Sequence, residues 1–195
     1  MAPANSELRE LVKEMNRSKL AGCFRKSDEP LKAEGEIFPS AVLPVLASNR
    51  AGERRVFPMK WGFSQKGRMI INARIETAAE RPMFREAWRK HRCVIPVSWY
   101  FEWEHNEQKK TGQKYALQPD IPGLVLLAGL YRMEENKPAF VILTRPAQEN
   151  LLWMHDRMPV MLPVHEAELW IRPETDPETA CRKGLTDMRW QKADA

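Results

Sequence analysis

The chain has 195 residues, a mass of 22.7 kDa and a formal net charge of +5 at pH 7. It has no stretch near the roughly 20 consecutive apolar residues of a membrane span, and its N-terminus lacks the pattern of a secretory signal. Its three cysteines have no close CxxC spacing, which argues against a disulfide framework. These features favour one domain with reduced thiols in the cytoplasm.

Helices are predicted in four places along the chain. The first is amphipathic, because Leu8, Leu11, Val12 and Met15 recur at the spacing of one helix face. In the second, Pro82 lies near the first turn or at a break. The predicted helices cover 6–20, 76–91, 147–154 and 164–171.

Short runs rich in β-branched and aromatic residues, bounded by turn signals, predict strands between and after these helices. The tail after Pro173 is polar and has no clear period. The pattern predicts an α+β domain dominated by antiparallel strands, with helices at its margins. The predicted strands cover 41–47, 56–61 and 68–71 around the turn SQKG, 93–103, 114–118, 124–130 and 138–144.

Basic residues concentrate in the second predicted helix and directly after it. Together with the net charge, this cluster favours a polyanionic partner, although an ordinary solvated surface explains it too. The basic residues are interleaved with Phe84 and Trp88. They are Arg81, Arg85, Arg89, Lys90 and Arg92.

Glu102 is the most informative single residue, since it is one carboxylate among the aromatic residues of 99–103. A carboxyl held against apolar rings is poorly solvated, and its raised pKa would let it act as a general acid near neutral pH. The alternative is that strand alternation turns Glu102 to solvent while the neighbouring rings enter the core.

Three other short segments carry candidate residues. The segment His155-Asp156-Arg157 suits acid–base work and phosphate contact, or else a helix C-terminal cap. Trp61 is a candidate for base stacking, or else for the core, and Asn72 at a strand end is typical of a turn. His91 and Cys93 lack two further ligands nearby, so we expect no metal site.

Three segments in order resemble the SRAP family, the SOS-response-associated peptidases. They are Asn72-Ala73-Arg74-Ile75-Glu76-Thr77-Ala78, then Phe101-Glu102-Trp103, then His155-Asp156-Arg157-Met158-Pro159. Trp61-Gly62 and Ile37-Phe38-Pro39-Ser40 fit the same pattern. The resemblance implies a single domain over 1–195, with its core over about 6–172 and a polar tail over 173–195.

The resemblance also implies a barrel-like β-rich core with a basic channel, which binds abasic sites in single-stranded DNA and traps them covalently. It implies a monomer in the cytoplasm, at the nucleoid when bound to DNA, with autopeptidase activity and without cofactor, metal or membrane partner. Asn72 would position the nucleophile, while Glu102 and His155 would transfer protons. The implied DNA-binding residues are Arg74, Arg157, Arg81, Trp61, Trp103, Thr144 and Pro39.

The start of the chain departs from the family pattern. Family members begin Met-Cys-Gly-Arg and use the cysteine as nucleophile, whereas this sequence begins Met1-Ala2-Pro3. We therefore expect no stable crosslink from the chain as written, which leaves enzymatic activity open. The alternative is a nucleic-acid-binding module that does not react. A thiol peptidase acting on other proteins is disfavoured, because no Cys–His pair has a recognisable spacing.

Overall fold

The computed structural model describes residues 6–25, 32, 35–105, 111–120, 123–181 and 184–193. Its helices are α1 (Ser6–Arg17), α2 (Ala21–Arg25), α3 (Ile75–Ala78), α4 (Pro82–Lys90), α5 (Val164–Ile171) and α6 (Pro177–Cys181). Its strands are β1 (Val42–Ser48), β2 (Arg54–Trp61), β3 (Phe63–Gln65), β4 (Arg68–Ile70), β5 (Asn72–Arg74), β6 (Arg92–Val97), β7 (Tyr100–His105), β8 (Thr111–Pro119), β9 (Val125–Glu134), β10 (Lys137–Pro146), β11 (Arg157–Pro159), β12 (Met161–Leu162) and β13 (Met188–Lys192).

The main sheet closes on itself. Strand β1 pairs antiparallel with β2 and β6, β6 pairs with β9, and β9 pairs with β10. Strand β10 completes the ring by pairing in parallel with β2, and β5 continues along that same edge of β10. The predicted α+β class with a strand-rich, barrel-like core and few helices is confirmed.

Both faces of the main sheet are buried, which explains why its strands read as continuous apolar runs. On one face, helices α1, α4 and α5 contribute Met15, Trp88 and Trp170 to a hydrophobic cluster. On the other face, the cluster includes Tyr115 and Leu117 from β8. Among the described residues, no helix combines the length and apolar character needed to cross a membrane.

A second sheet contains β7, β8 and β13, with β8 in the middle. Strand β13 lies beyond Pro173, in the segment whose sequence shows no period. Its partner β8 pairs with it along its whole length, and Cys181 at the end of α6 is buried. This segment is therefore structured by long-range contacts, which its own short sequence does not predict.

Four predicted elements differ from the observed ones. The strand predicted over 93–103 is two strands, β6 and β7, which belong to different sheets. Helix 76–91 is two helices, because Pro82 occupies the first position of α4 and the preceding Arg81 is extended. Only Glu149–Leu151 within 147–154 is helical, as one 3₁₀ turn. Strand β4 pairs with β3 instead of β2, since Gly62, with φ 116°, separates β2 from β3.

Candidate functional site

Three candidate residues lie in a row along β10. In the register of the sheet, Trp61 is opposite Phe140, Asn72 is opposite Ile142, and Arg74 is opposite Thr144. Paired residues project to the same face, and alternate residues of β10 are about 6.6 Å apart along the strand. We call Trp61, Asn72 and Arg74 the β10 row.

The two polar members of the row are exposed, whereas Ala73 between them is buried on the opposite face. The ring of Trp61 stacks on Phe140, with the centroids 6.4 Å apart and the planes at 7°. Its Nε1 donates to the Ile71 carbonyl at 3.1 Å. Trp61 is half-buried, so its ring is fixed in orientation while part of it contacts solvent.

A tight turn lies against Trp61. The Ala41 amide donates to the Phe38 carbonyl at 3.2 Å, and Ser40 has φ 77°. With Pro39 at the second position, this is a type II turn that places serine where glycine is usual. The Ser40 amide donates to the Trp61 carbonyl at 2.8 Å, and the Trp61 amide donates to the Ala41 carbonyl at 2.9 Å. Pro39 therefore lies beside the row.

Arg157 clamps the other end of the row. Its Nη1 and Nη2 donate to Glu76 Oε1 and Oε2 at 2.7 and 2.9 Å. Its Nη2 also donates to the Thr144 carbonyl oxygen at 2.7 Å and lies 3.3 Å from Thr144 Oγ1. The hydrogen bond from Arg157 holds the pKa of Glu76 below its ordinary value. The guanidinium thus joins the start of α3 to β11 across β10 and is neutralised by Glu76.

The His155 ring is held by the backbone of the same segment. The Arg157 amide lies 2.8 Å from His155 Nδ1, and Asp156 Oδ1 lies 3.1 Å from that nitrogen. Both contacts cannot be hydrogen bonds in one protonation state, because an amide only donates and a carboxylate only accepts. The shorter contact, to fixed backbone, assigns Nδ1 as the acceptor. The neutral ring then carries its proton on Nε2.

Glu102 lies on the inner face of β7. It is opposite Tyr115, and Tyr100 is opposite Leu117, so these four residues share one face of the second sheet. Tyr115 and Leu117 are buried, and Glu102 itself is half-buried. Burial, and then the Glu102 carboxylate, raise the pKa of Tyr100. Strand alternation therefore turns Glu102 toward the core side and not toward open solvent.

The segment before His155 packs on the second sheet. The Trp153 ring meets Tyr115 edge-on, with the centroids 5.1 Å apart. Tyr115 is the cross-strand partner of Glu102, and Trp153 precedes His155 by two residues. The contact between Tyr115 and Trp153 therefore links the strand that carries Glu102 to the loop that carries His155.

A family model described as SOS response associated peptidase (SRAP) matches residues 4–194. The chain belongs to the SRAP family.

Similar proteins in this family carry informative names. The abasic site processing protein YoqW of Bacillus subtilis is 31% identical over 165 residues, which is 74% of this chain and 72% of that protein. The abasic site processing protein YedK of Escherichia coli is 30% identical over 135 residues, which is 67% of this chain and 61% of that protein.

Two solved structures share the SRAP chain's fold. A protein from Bacteroides thetaiotaomicron has a TM-score of 0.70 at 20% identity, covering 96% of this chain and 88% of that one. A phage-related protein from Bordetella bronchiseptica has a TM-score of 0.68 at 23% identity, covering 82% and 81%. At these identities the likeness shows the fold alone.

Trp103 does not share the face of the second sheet that carries Glu102. It projects from the face of β7 opposite to Glu102, together with Phe101. Lys114 Nζ lies 4.3 Å from the Phe101 ring and 5.5 Å from the Trp103 ring, and it pairs with Glu36 at 2.7 Å. A role for Trp103 in DNA binding stays a prediction, on a different face.

The basic cluster of the SRAP chain divides into two groups. Phe84, Trp88 and Arg92 are buried, so the two rings belong to the core and Arg92 is structural. The Arg92 guanidinium donates to five backbone carbonyls, four at the ends of α4 and α5 and one in the turn after α5. An aromatic-interleaved basic patch is therefore the wrong interpretation. The exposed cations are Arg81, Arg85, Arg89 and Lys90.

Sequence reasoning missed Glu76 as a partner of Arg157 and missed the exposed ring of Phe38. Phe38 starts the turn that contacts Trp61, and its side chain is largely in solvent. The sequence signal that could have pointed to Phe38 is an aromatic residue directly before a proline. Within the described ranges, no group of three or more His, Cys, Asp or Glu side chains is placed to hold a metal ion.

Proposed function

We propose that this SRAP protein binds abasic sites in single-stranded DNA and acts on the open-chain sugar. The β10 row carries the proposal, because β2 and β5 together place an aromatic ring, an amide and a guanidinium in line along β10, on one face. The names of YoqW and YedK support the lesion as the target. The net charge of +5 supports a polyanionic ligand.

In this proposal the exposed Arg74 contacts a phosphate beside the lesion, and Trp61 with Pro39 stacks on the adjoining base. A missing base in a single strand leaves the sugar unstacked and within reach, whereas a duplex would have to be opened first. The Arg157 guanidinium is already engaged by Glu76 and Thr144. A phosphate contact by Arg157 would therefore compete with Glu76, and its main role is to hold the His155 segment.

The proposed chemistry uses the three polar side chains in different roles. Glu102 donates a proton to the ring oxygen as the C1′–O4′ bond breaks, and the anomeric hydroxyl gives up its proton to solvent to leave the aldehyde. His155 presents Nε2–H to the oxygen that later leaves as water. The Asn72 amide orients the attacking nitrogen. Covalent trapping needs a primary amine that forms an imine with loss of water, and an adjacent thiol that adds to the imine carbon.

The described cysteines do not meet that requirement. Cys23, Cys93 and Cys181 all have amide nitrogens within the chain, so none of them combines a primary amine with its thiol. The described residues are therefore assigned to recognition and proton transfer. We extend the proposal to crosslinking and autopeptidase activity only for a chain in which a 1,2-aminothiol reaches Asn72.

Binding is tested by fluorescence anisotropy with a labelled single strand that contains a tetrahydrofuran abasic analogue. We expect tighter binding than to the intact strand or to the blunt duplex, with affinity that falls as salt rises. Arg74→Ala should reduce the salt slope by about 0.7, the value for one phosphate contact on a single strand. Equal affinity for abasic and intact strands would contradict the proposal and favour a general nucleic-acid-binding module.

The matched control for Arg74→Ala is Arg50→Ala. Arg50 is exposed in the turn at the far end of the β1–β2 hairpin from Trp61, about 20 Å away along the strand. Its substitution should leave both the affinity and the salt slope unchanged. An equal loss in the two variants would mean that the net charge alone, and not the β10 row, holds the DNA.

The chemical step is tested with a natural abasic strand on a denaturing gel. In a chain that carries the Met-Cys-Gly-Arg start of the family, Glu102→Gln should slow the formation of adduct, while binding of the tetrahydrofuran analogue is retained. Reaction at the parent rate would exclude the carboxylate from proton transfer. The proposal also includes a monomer in the cytoplasm, associated with the nucleoid through DNA, which sedimentation and nuclease-treated cell fractions would test.

A further inference from the structure

Two tryptophan rings are exposed beside the candidate site. Trp153 is 41% exposed and Trp190 is 48% exposed, and their ring centroids are 5.3 Å apart. Both rings meet the buried Tyr115 edge-on, at 5.1 and 5.5 Å. Neighbouring exposed tryptophans leave apolar surface in water, which is a common mark of a binding surface. We call Trp153 and Trp190 the tryptophan pair.

The tryptophan pair is fixed before any ligand arrives. Trp153 Nε1 donates to the Asn150 carbonyl at 2.9 Å, and this hydrogen bond holds the indole ring against the 3₁₀ turn. Trp190 lies on β13 opposite Leu117, so its ring projects on the face of the second sheet that also contains Tyr115. Rings held in this way lose little conformational freedom on binding, which favours affinity.

A cation accompanies the pair. Lys192 is exposed and lies two residues after Trp190 on β13, so both side chains project from the same face. The register places Lys192 opposite Tyr115 and Glu102 on the other side of Tyr115. Aromatic faces next to a lysine are the combination that sequence-independent binders of single strands use for bases and phosphates.

The tryptophan pair adjoins the proposed abasic site. Glu102, Tyr115 and Lys192 form one cross-strand row, and β13 is two strand spacings, or about 10 Å, from β7. The rise of a DNA duplex is about 3.4 Å per nucleotide, and an unpaired strand is more extended, so this distance corresponds to at most about three nucleotides. A strand that has its abasic sugar at Glu102 and His155 can therefore reach the pair with a nearby base.

We propose that Trp153 and Trp190 stack on unpaired bases within about three nucleotides of the abasic sugar, with Lys192 on the phosphate between them. This inference rests on the proposed function and extends it, since it names the length of strand that the protein recognises. The ligand is the same DNA strand on one side of the lesion. Base identity has little effect, because every base offers a flat face.

The experiment compares a trimer, which has the tetrahydrofuran analogue at its centre, with strands extended by five nucleotides on either side. For the parent, extension on one side should tighten binding about tenfold beyond the trimer, which corresponds to one or two stacked bases. The Trp153→Ala/Trp190→Ala variant should lose this gain on that side only and bind the trimer as the parent does. Trp153→Phe should retain most of the gain, because it keeps a flat ring.

Matched variants separate stacking from charge and from general loss of apolar surface. Leu152→Ala removes an exposed apolar neighbour without a ring and should change nothing. Lys192→Ala should lower the salt slope by about 0.7 on the extended strand and leave the slope on the trimer unchanged. Thermal denaturation of each variant shows whether the Tyr115 contact is needed for folding.

Two results would overturn the inference while leaving the proposed function intact. One is a parent that binds the trimer and all extended strands equally. The other is a double variant that differs from the parent only in sedimentation, which would make the tryptophan pair a contact between two copies of the chain. If the parent shows no preference for abasic over intact strands of any length, the proposed function itself fails.

Discussion

Replacing Glu76 by glutamine should weaken the attachment of α3 to β11 and lower the free energy of unfolding by a small amount. The substitution keeps the size of the side chain and removes the charge that two nitrogens of Arg157 share. Arg157 is 17% exposed and Glu76 is 41% exposed, so solvent screens part of the attraction. A well-aligned bidentate pair at this exposure should couple by about 1 kcal/mol, the upper end for exposed pairs.

The effect should depend on pH in one direction. The hydrogen bond from Arg157 lowers the pKa of Glu76 from its ordinary value of 4.5. A carboxyl with a lowered folded pKa stabilises the fold above its unfolded pKa, and this contribution is lost as pH falls through the folded pKa. The difference between the parent and Glu76→Gln should thus be complete at pH 7 and vanish well below pH 4.5.

Thermal denaturation at pH 7 and at pH 3 measures the effect. A coupling of about 1 kcal/mol should lower Tm by about 2–4 °C in a chain of this size. A double-mutant cycle with Arg157→Met isolates the pair, and Glu80→Gln, an exposed carboxylate two residues after α3, is the matched control. A Tm difference that is the same at both pH values, or a cycle without coupling, would refute the assignment of Glu76 as the partner that Arg157 needs.

Two further predictions concern buried groups. Arg92→Met should lower the free energy of unfolding by about 3–5 kcal/mol in urea, because five backbone carbonyls lose their donor, whereas the exposed Arg89→Met should cost under about 0.5 kcal/mol. A thiol reagent at pH 8 should modify only the exposed Cys23 rapidly, since burial raises the pKa of Cys93 and raises that of Cys181 to about 11. Mass spectrometry before and after unfolding checks this, and rapid native modification of Cys93 would contradict its burial.

The sequence was sufficient where a local pattern decides the structure. The apolar run at 138–144 predicted β10, because a strand buried on both faces is apolar at every position. Helix α5 has the predicted bounds of 164–171. The break before Pro82 was also readable, since the residue before proline avoids the helical conformation. The tail after Pro173 was not, because β13 depends on a partner about 70 residues earlier in the sequence.

The candidate site divides in the same way. Asn72 and Arg74 alternate around a small apolar residue, so their common face follows from strand geometry once β5 is assigned. The face that Glu102 takes could not be predicted, because alternation gives two equal choices and only the packing of β8 selects one. The pairing of Glu76 with Arg157 joins positions 81 residues apart, and no local pattern encodes it.

The residues of the candidate site are held in place in two ways, by strand pairing and by side-chain packing. In the β10 row, Trp61 lies on β2, and Asn72 and Arg74 lie on β5. Both strands pair with β10, so the three residues are held in register by backbone hydrogen bonds. Glu102 belongs to a different sheet and His155 to a loop, and Trp153 of that loop packs on Tyr115 of the second sheet. Side-chain packing yields more easily than a closed ladder of hydrogen bonds. In the proposed function, recognition of the DNA strand therefore rests on the main sheet, while Glu102 and His155 are carried by the second sheet and by the loop that packs on it through Trp153.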